Sequence, residues 1–291
     1  MTHAILSVAD QVLHLVVWLL LLAAVFIPLE RLFALKEARL LRAGWTVDLM
    51  WYFLSSILPG LILAVPMAFV AWAAHRVMPA AVQDFSQALP LPLRIVAALV
   101  VGEIGFYWGH RWSHEVPLLW RFHALHHSAE HLDWLVNTRA HPIDMVFGKF
   151  VGLVPLYVVG LANPMSGRPD VVSLIVVIVG TFWGFFIHAN VRWRFGWLEN
   201  VVATPVFHHW HHTRRDHIDR NYAAMLPFVD RLFGTWYVPR HWPSDYGTDH
   251  PVPAGFRNQL VEPLWGRNGR WGDQRGSNPQ PPAPQAGALT D

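Results

Sequence analysis

The sequence contains no cysteine. That removes disulfide frameworks, Cys-bearing zinc sites, thiolate-ligated haem and iron–sulfur clusters together. Any metal must therefore be held by His, Asp, Glu or water. Charge is also scarce: Asp, Glu, Lys and Arg make up 14% of the 291 residues, where a soluble domain carries about a quarter. Lysine is nearly missing, at Lys36 and Lys149 only. A formal net charge of +2 offers no basic field of the kind a nucleic-acid partner needs, so no nucleic acid is expected. No Gly-x-Gly-x-x-Gly element opens a helix after a strand and no haem signature occurs, so neither bound flavin nor bound haem is expected. A zinc-protease His-Glu-x-x-His is missing too, since His114-Glu115 is followed by Val116, Pro117 and Leu118.

What the chain has instead is apolar and aromatic. Hydrophobic residues make up 53%, with 16 Trp and 17 Phe, and the mean hydropathy is +0.28. These values favour a membrane class. Residues 11–29 are long enough to cross a bilayer, at about twenty residues per span. With no Lys or Arg before Arg31, they are expected to be an uncleaved membrane helix rather than a signal peptide. Residues 47–75 are apolar again, with Pro59, Gly60 and Pro66 predicting a kinked or broken span. A loop is expected over 77–90, then a third span over 91–109 that delivers Glu103 and His110. The runs 145–161 and 171–187, the latter ending at His188, form either a full hairpin or a shallow re-entrant pair. The expected fold is all-α and integral to the membrane, with four to five apolar membrane helices and a histidine-rich helical cap on the cytoplasmic face.

Sidedness follows from the cations. Except for Arg76, Arg94 and Arg168, every Lys and Arg lies in 31–42, in 111–149 or beyond 191. The positive-inside rule then places the N-terminus outside and the histidine segments inside. Three regions are expected: N-terminal transmembrane helices over 1–90, a catalytic region over 91–240, and a polar tail over 241–291. Beyond about residue 265 Gly, Pro, Gln and Asn dominate, as in disordered segments. Phe228, Leu232, Phe233 and Trp236 have helical spacing that suits packing on the membrane surface or beneath the site.

The densest feature is HRWSHEVPLLWRFHALHH at 110–127, echoed by HHWHH at 208–212. On helices, residues three and four apart share a face. His110 and His114 then point one way, as do His123, His126 and His127, and His208, His211 and His212. Eight imidazoles on three faces exceed what packing or one zinc ion needs, and the pattern reads as a two-metal site. Neutral imidazole suits iron, copper, zinc and nickel. A soluble di-iron bundle would use Glu and Glu-x-x-His motifs, which the apolar helices here do not carry. Nitrogen-rich ligation beside a greasy cavity suits activation of O2 against an unactivated C–H bond. The competing reading is a non-enzymatic membrane metal-binding or transport protein using the same histidines. A transporter would place ionisable residues near mid-membrane on several spans, whereas these gather at one face.

The segments YWGHRWSH, LLWRFHALHHSAEHLDWL, IHANVR, TPVFHHWHHTR and IDRNYAAMLPFVDRLFGTWY, in this order among membrane spans, resemble the fatty acid hydroxylase / sterol desaturase superfamily over about 100–240. The resemblance implies a non-haem di-iron oxidoreductase with two Fe ions and O2 as co-substrate, which hydroxylates or desaturates a membrane lipid. It also implies an external electron donor, a ferredoxin or a cytochrome b5-like protein with its reductase. It carries no oligomeric state. Metal-ligand roles pass by resemblance to His110, His114, His123, His126, His127, His208, His211 and His212, and to the isolated His188. One departure stands out: fatty acid 2-hydroxylase-like members carry a further histidine one turn before that isolated ligand, where this chain has Gly184. His141, in TRAHPID, is the residue expected to complete a set of ten. Around the ligands, Glu103 is expected to accept a hydrogen bond from a ligand imidazole, with Asp133, His131 and His209 in supporting positions. Asn137 and Asp144 also lie near, and no spacing rule singles one out.

Overall fold

Long apolar runs become long helices. The computed structural model describes residues 2–162, 170–249, 252–253 and 255–265, with side chains from residue 9 onward. Helices α1 (Thr2–Phe33), α2 (Trp45–Val77), α4 (Leu91–Glu115) and α7 (Val171–His188) are each long and apolar enough to cross a membrane. Among the described residues no strand forms, and the only β pairing is two isolated antiparallel bridges, Ala34 with Val191 and Thr213 with Tyr246. The membrane-helix expectation is met.

Helix α6 (Pro142–Val158) runs back along α4. Glycine makes the close approach possible: a Cβ added at Gly105 would lie 2.6 Å from the Val151 carbonyl oxygen and 3.0 Å from Gly152 Cα. At one end of α6, Asp144 meets the His123 ring. At the other, Ala98, Leu156, Leu161, Ala162 and Val172 close an apolar cluster that joins α4, α6 and α7. Helices α6 and α7 therefore both pack along α4.

Three local expectations change. Of the kinked or broken span expected over 47–75, the broken form is not found, because α2 continues through Pro59 and Pro66 to Val77. Each proline removes only one backbone bond, which a long helix held by neighbours tolerates. The expected loop over 77–90 contains a short helix, α3 (Ala80–Ala88). It closes the end of the bundle away from the histidines: Ser86 Oγ donates to the Val159 carbonyl at 2.6 Å and Gln83 Nε2 to that of Ala74 at 3.0 Å. Within the expected polar tail over 241–291 lies a further helix. Residues 256–265 form α10 (Phe256–Trp265), held by Trp51 Nε1 donating to Gln259 Oε1 at 2.8 Å and by Phe256 packed on the Trp51 ring. The stretch beyond 265 lies outside the described residues.

A buried ionic knot fastens the histidine end. Asp48, fully buried, accepts from both Arg42 and Arg139, and Arg42 also pairs with Asp133. Glu30 on α1 accepts the backbone N–H groups of Trp134 at 2.7 Å and Asn190 at 2.9 Å. Charges this buried persist only when paired. Here they lock α1, α2, the 3-10 turn Trp134–Thr138 and the exit of α7 to one another.

Candidate metal centre

Two helix breaks set up the site. Val116 ends α4 and Pro117 starts α5 (Pro117–His127), while Pro205 starts α8 (Pro205–His211). Proline suits a first helical position because no partner for its nitrogen is needed there. The last turns of α4, the end of α5, the end of α7 and all of α8 thereby converge.

Nine histidines gather in two buried groups. His110, His114, His123, His127 and His211 form one; His126, His188, His208 and His212 form the other. In each group one ring nitrogen per residue lies within 4.8 Å of all the others. The groups adjoin: the His127 and His212 rings stack at 4.3 Å between centroids, and those of His208 and His211 stack at 5.1 Å. The sequence boxes do not map one to a group. Pairs four apart (110/114, 123/127, 208/212) stay together, while His126 and His211 cross to the opposite group.

Hydrogen bonds fix which nitrogen faces inward. His110 Nδ1 donates to the Tyr222 carbonyl at 2.7 Å and His211 Nδ1 to that of Arg220 at 2.8 Å. His123 Nδ1 meets Asp144 at 2.9 Å and His114 Nδ1 meets Asp219 at 3.3 Å. A carbonyl or carboxylate can only accept, so the protons sit on Nδ1 and Nε2 presents a lone pair. In the second group His126 Nδ1 donates to the Arg139 carbonyl at 3.2 Å and His188 Nδ1 to that of Gly184 at 2.7 Å.

The resulting geometry calls for a cation. Nε2 of His126 and Nε2 of His188 lie 3.2 Å apart, although both carry lone pairs and neither can donate. His208 Nε2 lies 3.0 Å from His188 Nε2 and 3.1 Å from His212 Nε2. In the first group Nε2 of His123, His127 and His211 is buried with no hydrogen-bond partner. Converging buried lone pairs repel and stay desolvated unless a positive ion lies between them. Burial, and after it the neighbouring imidazoles, hold His126, His127, His208, His211 and His212 well below the usual histidine range. Neutral imidazole is the metal-binding form.

One loop supplies three of these braces. Around His217–Tyr222, three non-glycine residues take positive φ: His217 at 54°, Asp219 at 63° and Asn221 at 58°. Asn tolerates this region, and Asn221 is pinned by Nδ2 donating to the carbonyls of Phe207 at 2.8 Å and Tyr237 at 2.7 Å. The neighbours of Asn221 are thereby turned toward His114, His110 and His211.

Several expected positions fall elsewhere. His141 does not join either group: Nε2 donates to the Leu260 carbonyl at 3.0 Å and Nδ1 accepts from the Ile143 N–H at 3.2 Å, so no lone pair remains for a metal. Glu103 accepts the backbone N–H groups of Met225 and Leu226, at 2.9 and 3.3 Å, in place of an imidazole. Asp133 caps the 3-10 turn and pairs with Arg42. His131 is exposed in the loop after α5. His209 is buried and bridges Tyr246 Oη (2.8 Å) to the Ala189 carbonyl (3.1 Å), bracing the residue after His188. At Gly184 an added Cβ would lie 2.8 Å from Asn137 Oδ1, so a side chain there would require the Asn137 amide to move. Sequence reasoning missed Asp219 and the carbonyls of Arg139, Gly184, Arg220 and Tyr222. Gly184 lies one turn before His188 on α7, whereas the others meet their imidazoles through the fold and no spacing signal marks them.

The family model for fatty acid hydroxylase matches residues 95–235, a stretch that contains all nine clustered histidines. That region of the chain is similar to the fatty acid hydroxylase family. Among curated proteins, an ornithine lipid hydroxylase of Rhizobium tropici is 40% identical over 184 residues, 62% of this chain and 53% of that protein. Alkylglycerol monooxygenases of Danio rerio and Homo sapiens are 33% and 32% identical, each over 52% of this chain and 32% of theirs. The chain thus spans about half the length of the first relative and about a third of the others. No solved structure matches it.

Proposed function

We propose that this chain is a membrane non-haem di-iron oxygenase that hydroxylates a membrane lipid. The observation that carries the reading is the set of nine buried imidazoles whose ring nitrogens converge in two adjacent groups. His110, His114, His123, His127 and His211 would hold one iron, and His126, His188, His208 and His212 the other. Two irons, when bound, supply O2 activation against an unactivated C–H bond. The balanced reaction turns R–H, O2, two electrons and two protons into R–OH and water. The electrons come from an external donor, a ferredoxin or a cytochrome b5-like protein with its reductase, docking on the cytoplasmic side where the cations gather. Asp144 and Asp219 keep the Nδ1 protons of His123 and His114 in place, and the ionic knot at Asp48 holds the Arg139 carbonyl that orients His126. Relatives whose names describe hydroxylation of an ornithine lipid and monooxygenation of alkylglycerols point to a polar-headed membrane lipid as substrate. Desaturation is the other outcome open to the same centre.

The test compares the lipids of host cells that express the wild-type chain with those that express His211→Ala. A lipid heavier by one oxygen that depends on intact His211 supports hydroxylation. A lipid lighter by two hydrogens would reassign the outcome to desaturation. Identical lipid profiles would overturn the enzymatic reading.

A further inference from the structure

Two short elements outside the four spanning helices have inverted polarity. In the 3-10 turn Gly196–Asn200 and the residue after it, Trp197 is 72% and Val201 50% exposed, whereas Glu199 is 5% exposed. In α9 (Phe228–Leu232), Leu232 is 67% and Phe228 40% exposed, whereas Asp230 is fully buried. The carboxylates are held inside by dedicated donors. Glu199 accepts from Arg194 and from the Phe195 N–H, and Asp230 accepts from the N–H groups of Tyr222 and Ala223 and from the Thr235 hydroxyl. Elements facing water do the reverse, keeping charge outside and large apolar groups in.

The depth of these elements explains the inversion. The backbone leaving the turn is fixed by Trp183 Nε1 donating to the Ala203 carbonyl at 3.0 Å. The backbone entering α9 is fixed by Glu103, which accepts the Met225 and Leu226 N–H groups. Trp183 stands five residues before His188 on α7, and Glu103 seven before His110 on α4. At about 1.5 Å per residue, both anchors lie roughly 7–11 Å below the level of the histidines. Two independent helices thus give the same depth. The two elements also touch, through Arg231 and the Asn200 side chain. On α7 itself Val177, Ile178 and Phe182 are exposed in the same way.

We infer that Gly196–Val201 and α9 form a shelf inserted into the interfacial layer of the bilayer, with Trp197, Val201, Phe228 and Leu232 immersed in lipid. Trp and Leu are the side chains that settle at that depth. Arg231, exposed and lying over the Trp236 ring at 3.9 Å, reaches the phosphate level above them. The inference rests on burial and depth, and stands whether or not a metal binds.

The absence of cysteine makes the test direct. Trp197→Cys, Val201→Cys and Leu232→Cys are each labelled with an environment-sensitive fluorophore in the full-length chain, reconstituted in phosphatidylcholine–phosphatidylglycerol vesicles. His131→Cys, at an exposed position in the loop after α5, is the control. At all three shelf positions the emission is expected to shift to shorter wavelength. Nitroxide lipids labelled near the headgroup should quench it more strongly than those labelled near the chain end, and aqueous iodide should have little effect. The control is expected to respond in the opposite way. Iodide quenching at the shelf equal to that at position 131 would overturn the inference. Shielding from both iodide and nitroxide lipids would also overturn it, since protein and not lipid would then cover the face. Three separate positions guard against one substitution disturbing its own site.

Discussion

At the scale of single residues, the account turns on which nitrogen each imidazole offers. Asp144 fixes His123 and Asp219 fixes His114, while backbone carbonyls fix His110, His126, His188 and His211. Partners of this kind are worth roughly 10–100-fold in metal affinity. Asp144→Asn is therefore expected to weaken binding of one ion by that factor and leave the other near its wild-type affinity. Stepwise competition with a chelator of known affinity measures both. His141 gives the opposite prediction. Its nitrogens serve Leu260 and Ile143, so His141→Ala should cost about 1–2 kcal/mol of stability and leave two metals per chain, whereas His126→Ala should release metal. Thermal unfolding and metal content of the two variants decide the point. The box histidines were legible because spacings of three and four put side chains on one face. Their division between groups was not, because the face alone does not say which helix it meets. His141 misled for a related reason: a histidine just before a helix-starting proline is as well suited to capping that helix as to ligation.

At the scale of elements, the site depends on α4 and α6 lying close enough for Asp144 to reach His123. Gly105 permits this, since any Cβ there would press on the Val151 carbonyl. Gly105→Ala is expected to cost about 1–3 kcal/mol through overpacking and to loosen the ion held by His110 and His123. Thermal unfolding together with metal content measures the outcome, and unchanged values in both would show that the contact does not matter. The loop at Asn221 is a second such device. Asn221→Gly keeps the positive φ but loses the side-chain bonds to Phe207 and Tyr237, while Asn221→Ala also meets the left-handed penalty. The alanine variant should therefore unfold more easily than the glycine variant by about 1–2 kcal/mol. The long helices were plain in the sequence because about twenty apolar residues in a row leave few alternatives. Helices α3 and α10 were not, because both are short and mixed in composition. They form because the ends of α2 and α6, and the Trp51 ring, offer them partners.

At the scale of the whole molecule, apolar helices carry a dense patch of neutral imidazoles at one end, and the cations of the sequence cluster on the same loops. The fold supplies a dry setting for that patch: the nine histidines are buried, and the braces around them come from Arg139, Asp144, Gly184 and the loop Asp219–Tyr222. Sequence made the class of site visible, since no packing need explains so many histidines in a chain otherwise poor in polar residues. The most direct test is metal analysis with Mössbauer spectroscopy on detergent-purified chain loaded with iron-57. The account predicts two irons per chain with the spectrum of a coupled pair, lost or reduced in His126→Ala. A single zinc, or no metal retained with wild type and His126→Ala behaving alike, would contradict it.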